Sequence, residues 1–226
     1  WPGQSFGLLN YGGEWKQQLY FIKRSFSPLL ITVSTAVQSN SGVMLGSVHL
    51  VSDIPQPLTG CLVYGTLWRT NGTRLWQFGN SLDVPAGGVS TELTLKFSAA
   101  AHSASFLRVS ARCGATVTSQ ADHFFVGTSF AEARRTLRDP EFNASEWGVD
   151  SQGRCTFTLQ CAAPALFVVP NAEVAGRFSD SAFVLVPGDT RNITFTGGGG
   201  RACNPSHLAS SVTFDSLYSL LPNGDA

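Results

Sequence analysis

"SVHLVSD" (Ser47 to Asp53) and "STELTLKF" (Ser90 to Phe97) alternate apolar and polar side chains. A period of two belongs to a strand with one buried face, and it names Val48, Leu50, Leu93, Leu95 and Phe97 as inward-pointing. Working outward, residues 30–37, 43–51, 61–68, 91–97, 105–113 and 121–126 are short runs rich in Val, Leu, Phe and Thr. Gly, Pro, Asn and Ser punctuate them. Repeated short strands between turn signals predict a β-sandwich. A second series follows in "RCTFTLQC", "ALFVVP", "AFVLVPGD", "RNITFTGGGG" and "SSVTFDSLYSLL". The expected fold is therefore mainly β, with two consecutive sandwiches at residues 28–128 and 142–226. "SFAEARRTLRD" lies in the linker between them, residues 129–141.

The segment before Pro28 has a different period. In "NYGGEWKQQLYFIKRSFSPLL" (Asn10 to Leu30), Trp15, Leu19, Ile22 and Phe26 recur at steps of four, three and four. This places them on one stripe of a helix, with Lys16, Gln17, Lys23 and Arg24 on other faces. Gly12 and Gly13 loosen the chain before the helix. Ser27-Pro28 ends it, because proline lacks a donor and disfavours a helical residue before it.

The chain has 226 residues, 43% hydrophobic and 13% charged, with a formal net charge of zero. Two cores are affordable on that composition, and no basic footprint for nucleic acid exists. No apolar run reaches the length of a membrane span. The chain opens at Trp1 rather than Met, from which a processed piece with its targeting signal upstream is expected. Three N-glycosylation sequons, at Asn71, Asn143 and Asn192, tilt the setting toward the secretory pathway. Five cysteines are compatible with an oxidising compartment. Cys155 and Cys161 bracket a strand about 20 Å long, beyond the roughly 7 Å that a disulfide spans. A Cys61–Cys113 bridge is possible, and Cys203 is able to meet either of the other two.

The chemistry-bearing residues are sparse. Glu146, in "ASEWGVD", sits in a Ser-Glu-aromatic-Gly string similar to the nucleophile segment of several retaining glycosidases, but nothing near it supplies the partner carboxylate. His49, His102, His123 and His207 have no metal-ligand spacing. No cofactor or metal is expected. "GGGG" at Gly197 to Gly200 reads as a loop, with no Lys-Ser/Thr and no helix pattern after it to cradle phosphate. Trp68 and Trp76 flank the Asn71 turn; they are either ordinary cross-strand packing or a sugar-stacking platform.

"WPGQSFGLLNYGGEWKQQLYFIKRSFSPLL" resembles the junction in family 2 glycoside hydrolases of the β-mannosidase type, where the last barrel strand leads into the last barrel helix. The matching residues are Trp1, Tyr11, Gly13, Trp15, Lys16, Tyr20, Phe21, Phe26, Pro28, Leu29 and Leu30. "HLVSD" (His49 to Asp53), "ADHFF" followed by "FAEA", "SQG" (Ser151 to Gly153) and above all "GRFSDSAF" (Gly176 to Phe183) are similar to the C-terminal sandwiches of lysosomal-type β-mannosidases. Pro2-Gly3-Gln4 and Phe6 depart from the family's more usual residues.

The resemblance implies immunoglobulin-like sandwiches preceded by an amphipathic helix left from a (β/α)8 barrel, with residues 1–27 as the barrel remnant. It also implies a lysosomal parent enzyme that hydrolyses terminal β-linked mannose in glycoprotein-derived oligosaccharides. The catalytic carboxylates would then lie upstream, so this chain supplies no catalytic residue and is expected to be inactive alone. Its partner is the upstream barrel, on which the face of Trp15, Leu19, Ile22 and Phe26 would pack. Trp1 is the one residue that this resemblance places near substrate. The alternative is a stand-alone glycan-binding or adhesion module with Trp68 and Trp76 as its platform.

Overall fold

The computed structural model describes residues 7–9, 15–37, 43–98, 104–125, 133, 135–200 and 202–220. Trp1, Tyr11, Gly12, Gly13 and His102 lie outside the described residues. The chain divides into two compact units, Ser25–Thr136 and a discontinuous one made of Trp1–Arg24 with Leu137–Ala226.

The continuous unit is an antiparallel sandwich of seven strands. They are β1 (Leu29–Val37), β2 (Val43–Ser52), β3 (Leu58–Arg69), β4 (Arg74–Val84), β5 (Leu93–Ser98), β6 (Ser105–Cys113) and β7 (Val117–Phe124). One sheet has the order β1-β2-β5 and the other β4-β3-β6-β7. Burial alternates perfectly along β2, and Val48, Leu50, Leu95 and Phe97 are buried as the period of two requires; Leu93 is half-buried against the same core. Val63, Leu67, Leu107 and Val109 complete the opposing face. Each such side chain contributes roughly 1.5–3 kcal/mol when fully buried. Cys61 and Cys113 form a disulfide with Cα atoms 4.2 Å apart. It joins neighbouring strands β3 and β6 within one sheet. Gly65 of β3 stands opposite Phe78 of β4, and the Phe78 ring occupies the space a side chain at Gly65 would need.

The C-terminal part carries β8 (Asn143–Val149), β9 (Cys155–Gln160), β10 (Ala165–Asn171), β11 (Gly176–Phe178), β12 (Phe183–Leu185), β13 (Arg191–Gly197) and β14 (Thr213–Asp215). The sheets run β11-β13-β9-β8 and β12-β10-β14, all antiparallel. Phe157, Leu159, Ile193 and Phe195 of the first meet Val168, Phe183 and Leu185 of the second. Trp147 stacks on Phe157 with ring centroids 4.4 Å apart. Cys203 pairs with Cys155, and Cys161 is buried outside both bridges.

A short helix, α2 (Pro205–Ser211), follows the glycine run, contrary to the expectation of no helix there. Asn204 caps it, accepting from the amides of Ser206 and His207, with Pro205 in the first turn. Asn-Pro is a helix-start signal, and its amides are already satisfied by the cap rather than free for phosphate.

The N-terminal helix α1 spans Gln17–Ser25 and ends before Pro28 as expected. Its packing adds a contact that the sequence reading did not contain. The buried residue is Tyr20, whereas Leu19 and Ile22 are half-buried and Phe26 is 82% exposed. The predicted apolar stripe is thus not the face that docks within this chain; a second face carrying a phenol and two cations is.

Candidate functional site

Strand β11 has three residues and lies at the edge of its sheet, so its outer carbonyls lack a strand partner. Helix α1 covers them. Tyr20, Lys23 and Arg24 are spaced three and four apart and share one helical face. The Tyr20 hydroxyl donates to the Phe178 carbonyl at 3.1 Å, and Lys23 Nζ donates to the Ser179 carbonyl at 2.9 Å. Arg24 reaches one step further, donating to Asp180 Oδ1 at 2.6 Å and to the carbonyls of Ser181 and Ala182. Lys23 and Arg24 also stand in the last turn, where cations suit the negative end of the helix.

Asp180 is the hub. Its second oxygen pairs with Arg191 of β13, and Oδ1 also accepts from the Ser181 amide. The loop is pinned beneath by Ser179, whose amide donates to the Thr194 carbonyl and whose hydroxyl accepts from the Thr194 amide. Aromatic faces carry the cations: Arg24 lies over Phe21, Arg191 over Phe183, and Arg177 over Trp15. Trp15 in turn packs against Tyr20. Burial pushes the Tyr20 phenol above its ordinary pKa; the Asp180 charge adds to the rise and Arg177 opposes it. Tyr20 therefore stays a protonated donor at neutral pH. Lys23, Arg24 and Asp180 hold the helix to the loop and Arg191 holds Asp180, so the arrangement is a fastening. "GRFSDSAF", singled out in the sequence as a motif, is the receptor for "YFIKR" of α1.

The other candidates do not converge. Glu146 is exposed at a β-bulge in β8 with φ +54°. Trp68 is buried and stacked under Arg74, on the sheet face opposite Trp76, which packs against Phe78 and Phe97 on the core side. Trp68 pairs across the sheet with Arg74 and Trp76 with Leu67, so no two-tryptophan sugar platform forms. His123 Nε2 meets the Thr35 hydroxyl at 3.0 Å, and burial lowers its pKa. His207 is exposed on α2, and His49 is half-buried on β2. Among the described residues, no group of three or more His, Cys, Asp or Glu is placed to hold a metal ion, and no helix is long and apolar enough to cross a membrane.

Of the sequon asparagines, Asn143 and Asn192 are exposed on β8 and β13, while Asn71 is half-buried in the β3–β4 turn with its Oδ1 accepting from the Thr73 amide. The roles of Tyr20, Asp180 and Arg191 were missed in the sequence. Their signal was present as polar residues inside two motifs, but nothing in the sequence joined motifs 156 residues apart.

Residues 137–220 match the Ig_mannosidase family, an Ig-fold domain. No curated protein sequence matches the chain. Among solved structures, the chain is similar to a β-D-mannosidase from Dictyoglomus thermophilum, with TM-score 0.68 and 20% identity over 96% of this chain and 25% of that one. It is also similar to an exo-chitosanase from Amycolatopsis orientalis, with TM-score 0.66 and 15% identity over 94% of this chain and 28% of that one. The chain thus spans about a quarter of the length of these proteins. At these identities the likeness establishes the fold: immunoglobulin-like sandwiches of the kind those glycosidases carry.

Proposed function

We propose that this chain is the non-catalytic C-terminal part of a β-mannosidase-type family 2 glycoside hydrolase, with a helix and two sandwiches bracing a catalytic barrel carried upstream in the same protein. One observation supports this most. The residues that match the Ig_mannosidase family include the loop that receives α1, and α1 is the segment whose own sequence resembles the helix leaving the barrel. With Tyr20 and Arg24 committed to the sandwich, the side bearing half-buried Ile22 and exposed Phe26 is the one offered to the barrel. The parent reaction would be retaining hydrolysis of terminal β-linked mannose from glycoprotein oligosaccharides through two barrel carboxylates. Fold alone does not carry chemistry, so substrate assignment rests on the family resemblance. Trp1 is the residue proposed to approach the sugar. Two disulfides and three sequons support passage through an oxidising secretory route, and a lysosomal destination goes with the resemblance.

The test compares the parent protein with this chain. The parent should hydrolyse a chromogenic β-mannoside, and Trp1→Ala in the parent should weaken substrate binding. The isolated chain should release nothing above buffer. Turnover by the isolated chain that disappears on Glu146→Gln would refute the proposal.

A further inference from the structure

On the outer face of the sheet β11-β13-β9-β8, hydroxyls and amides cover β9, β13 and the start of β8, with Arg177 of β11 at the far edge. Leu159 of β9 is buried in the core, so Thr158 and Gln160 on either side of it point outward. Thr158 stands opposite Ser145 on one side and Asn192 on the other, and Gln160 stands opposite Asn143. Asn143 and Asn192 consequently share this face. They are separated by the single strand β9 and offset by two residues, a spacing of roughly 12 Å. Both are exposed, and each begins an Asn-X-Ser/Thr triplet, Asn143-Ala144-Ser145 and Asn192-Ile193-Thr194.

The surrounding polar groups satisfy one another. Ser145 Oγ and Thr158 Oγ1 are 3.0 Å apart, and Gln160 Nε2 donates to Thr190 Oγ1 at 2.9 Å. Space is also available at both asparagines. β8 is the edge strand, and at Asn192 the pairing of β11 with β13 has ended, leaving beside β13 the loop whose Ser179 bonds Thr194 and whose Asp180 pairs with Arg191. Both asparagines are exposed on the outer face, so a bulky substituent extends off the face of the sheet rather than along its edge. The helix α1 sits at the other edge, over the carbonyls of Phe178 and Ser179.

We infer that Asn143 and Asn192 are both N-glycosylated, making this sheet face a glycan-bearing solvent face of the parent protein. Two bulky, strongly hydrated groups on one small sheet keep a protein partner off it. Contacts with the rest of the parent are thereby directed elsewhere. The inference shares with the proposed function only passage through the secretory pathway.

The test uses the full parent protein secreted from cultured eukaryotic cells. Its peptides are released with peptide N-glycosidase in heavy-oxygen water, and each asparagine is read by mass spectrometry without any variant. Heavy-oxygen aspartate is expected at both positions. Ser145→Ala should remove the first glycan alone and Thr194→Ala the second alone, while Thr194→Ser should keep it. Unmodified asparagine at either position in the folded, disulfide-bonded protein overturns the inference. β-Mannosidase assays on the same preparation separate the two proposals. Active enzyme with bare asparagines sinks the glycan face only, and glycosylated protein without activity sinks the enzymatic reading only.

Discussion

Arg24 and Asp180 meet at 2.6 Å although 156 residues of chain separate them. Their side chains are 32% and 16% exposed, so water weakens but does not cancel the attraction. Because Asp180 also pairs with Arg191, removing it leaves two guanidinium groups facing each other without a carboxylate.

Asp180→Ala should therefore destabilise the α1 docking by about 1–3 kcal/mol, more than Arg24→Ala, which removes one cation and leaves Asp180 its second partner. Native-state hydrogen exchange of the α1 amides measures it. Equal acceleration in both variants, or none, would show that Asp180 is not the hub.

Tyr20 gives an alkaline signature. Burial raises its phenol pKa above the ordinary 10.0 in the folded state. The protonated form is thus the one that folding favours. Its contribution is complete below pH 10 and disappears as pH rises through the folded pKa. Absorbance titration should reveal a late-ionising phenol that is absent from Tyr20→Phe. The same variant should lose about 1 kcal/mol of docking stability with the hydrogen bond to Phe178.

His123 acts at the acid end and in the other unit. Burial lowers its pKa below the ordinary 6.5, so the folded state favours neutral imidazole. Stability from this group is present above pH 6.5 and is lost as pH falls through the folded pKa. The sandwich of residues 25–136 should unfold in less urea at pH 5 than at pH 7.5. His123→Gln should flatten that dependence. An unchanged slope would place the acid sensitivity elsewhere.

Gly65→Ala should destabilise the same sandwich by roughly 1–3 kcal/mol, because the added methyl enters space held by the Phe78 ring. Pairing it with Phe78→Leu should recover part of the loss. Additive effects in the double-mutant cycle would mean that the two positions do not compete for one volume.

The strands with one fully buried face were legible in the sequence. β2 and β5 alternate cleanly, and their inward residues were named from period alone. β4 escaped notice. Its half-exposed run "RLWQFGNSLDV" has Gly79 and Asn80 in the middle, so its pairing with β3 supplies a strand that its own pattern does not announce. β11 and β8 were missed for related reasons: three residues make no period, and a bulge at Glu146 breaks the alternation. For α1 the periodicity gave a helix and one apolar face but not the polar face that docks within this chain. Hydrophobicity alone ranked Leu19, Ile22 and Phe26 first, whereas the last carbonyl of β11 and those of the loop after it take donors. Tyr20, Lys23 and Arg24 provide those donors.

Because α1 completes a unit whose other part begins at Leu137, its docking waits on residues synthesised after the whole of the intervening sandwich. Translation at about 5–20 residues per second puts roughly 8–30 s between the synthesis of Arg24 and that of Asp180. The intervening segment, Ser25–Thr136, is fully synthesised within that interval and has its own core. Nine residues are too few to hold a helix alone in water. Position in the gene and order of assembly are therefore opposed for this contact: α1 emerges from the ribosome before the sandwich it rides on, and its polar face is fastened only after it. A stalled nascent chain ending anywhere before Phe178 carries Tyr20, Lys23 and Arg24 without the carbonyls and carboxylate that hold them in the finished fold.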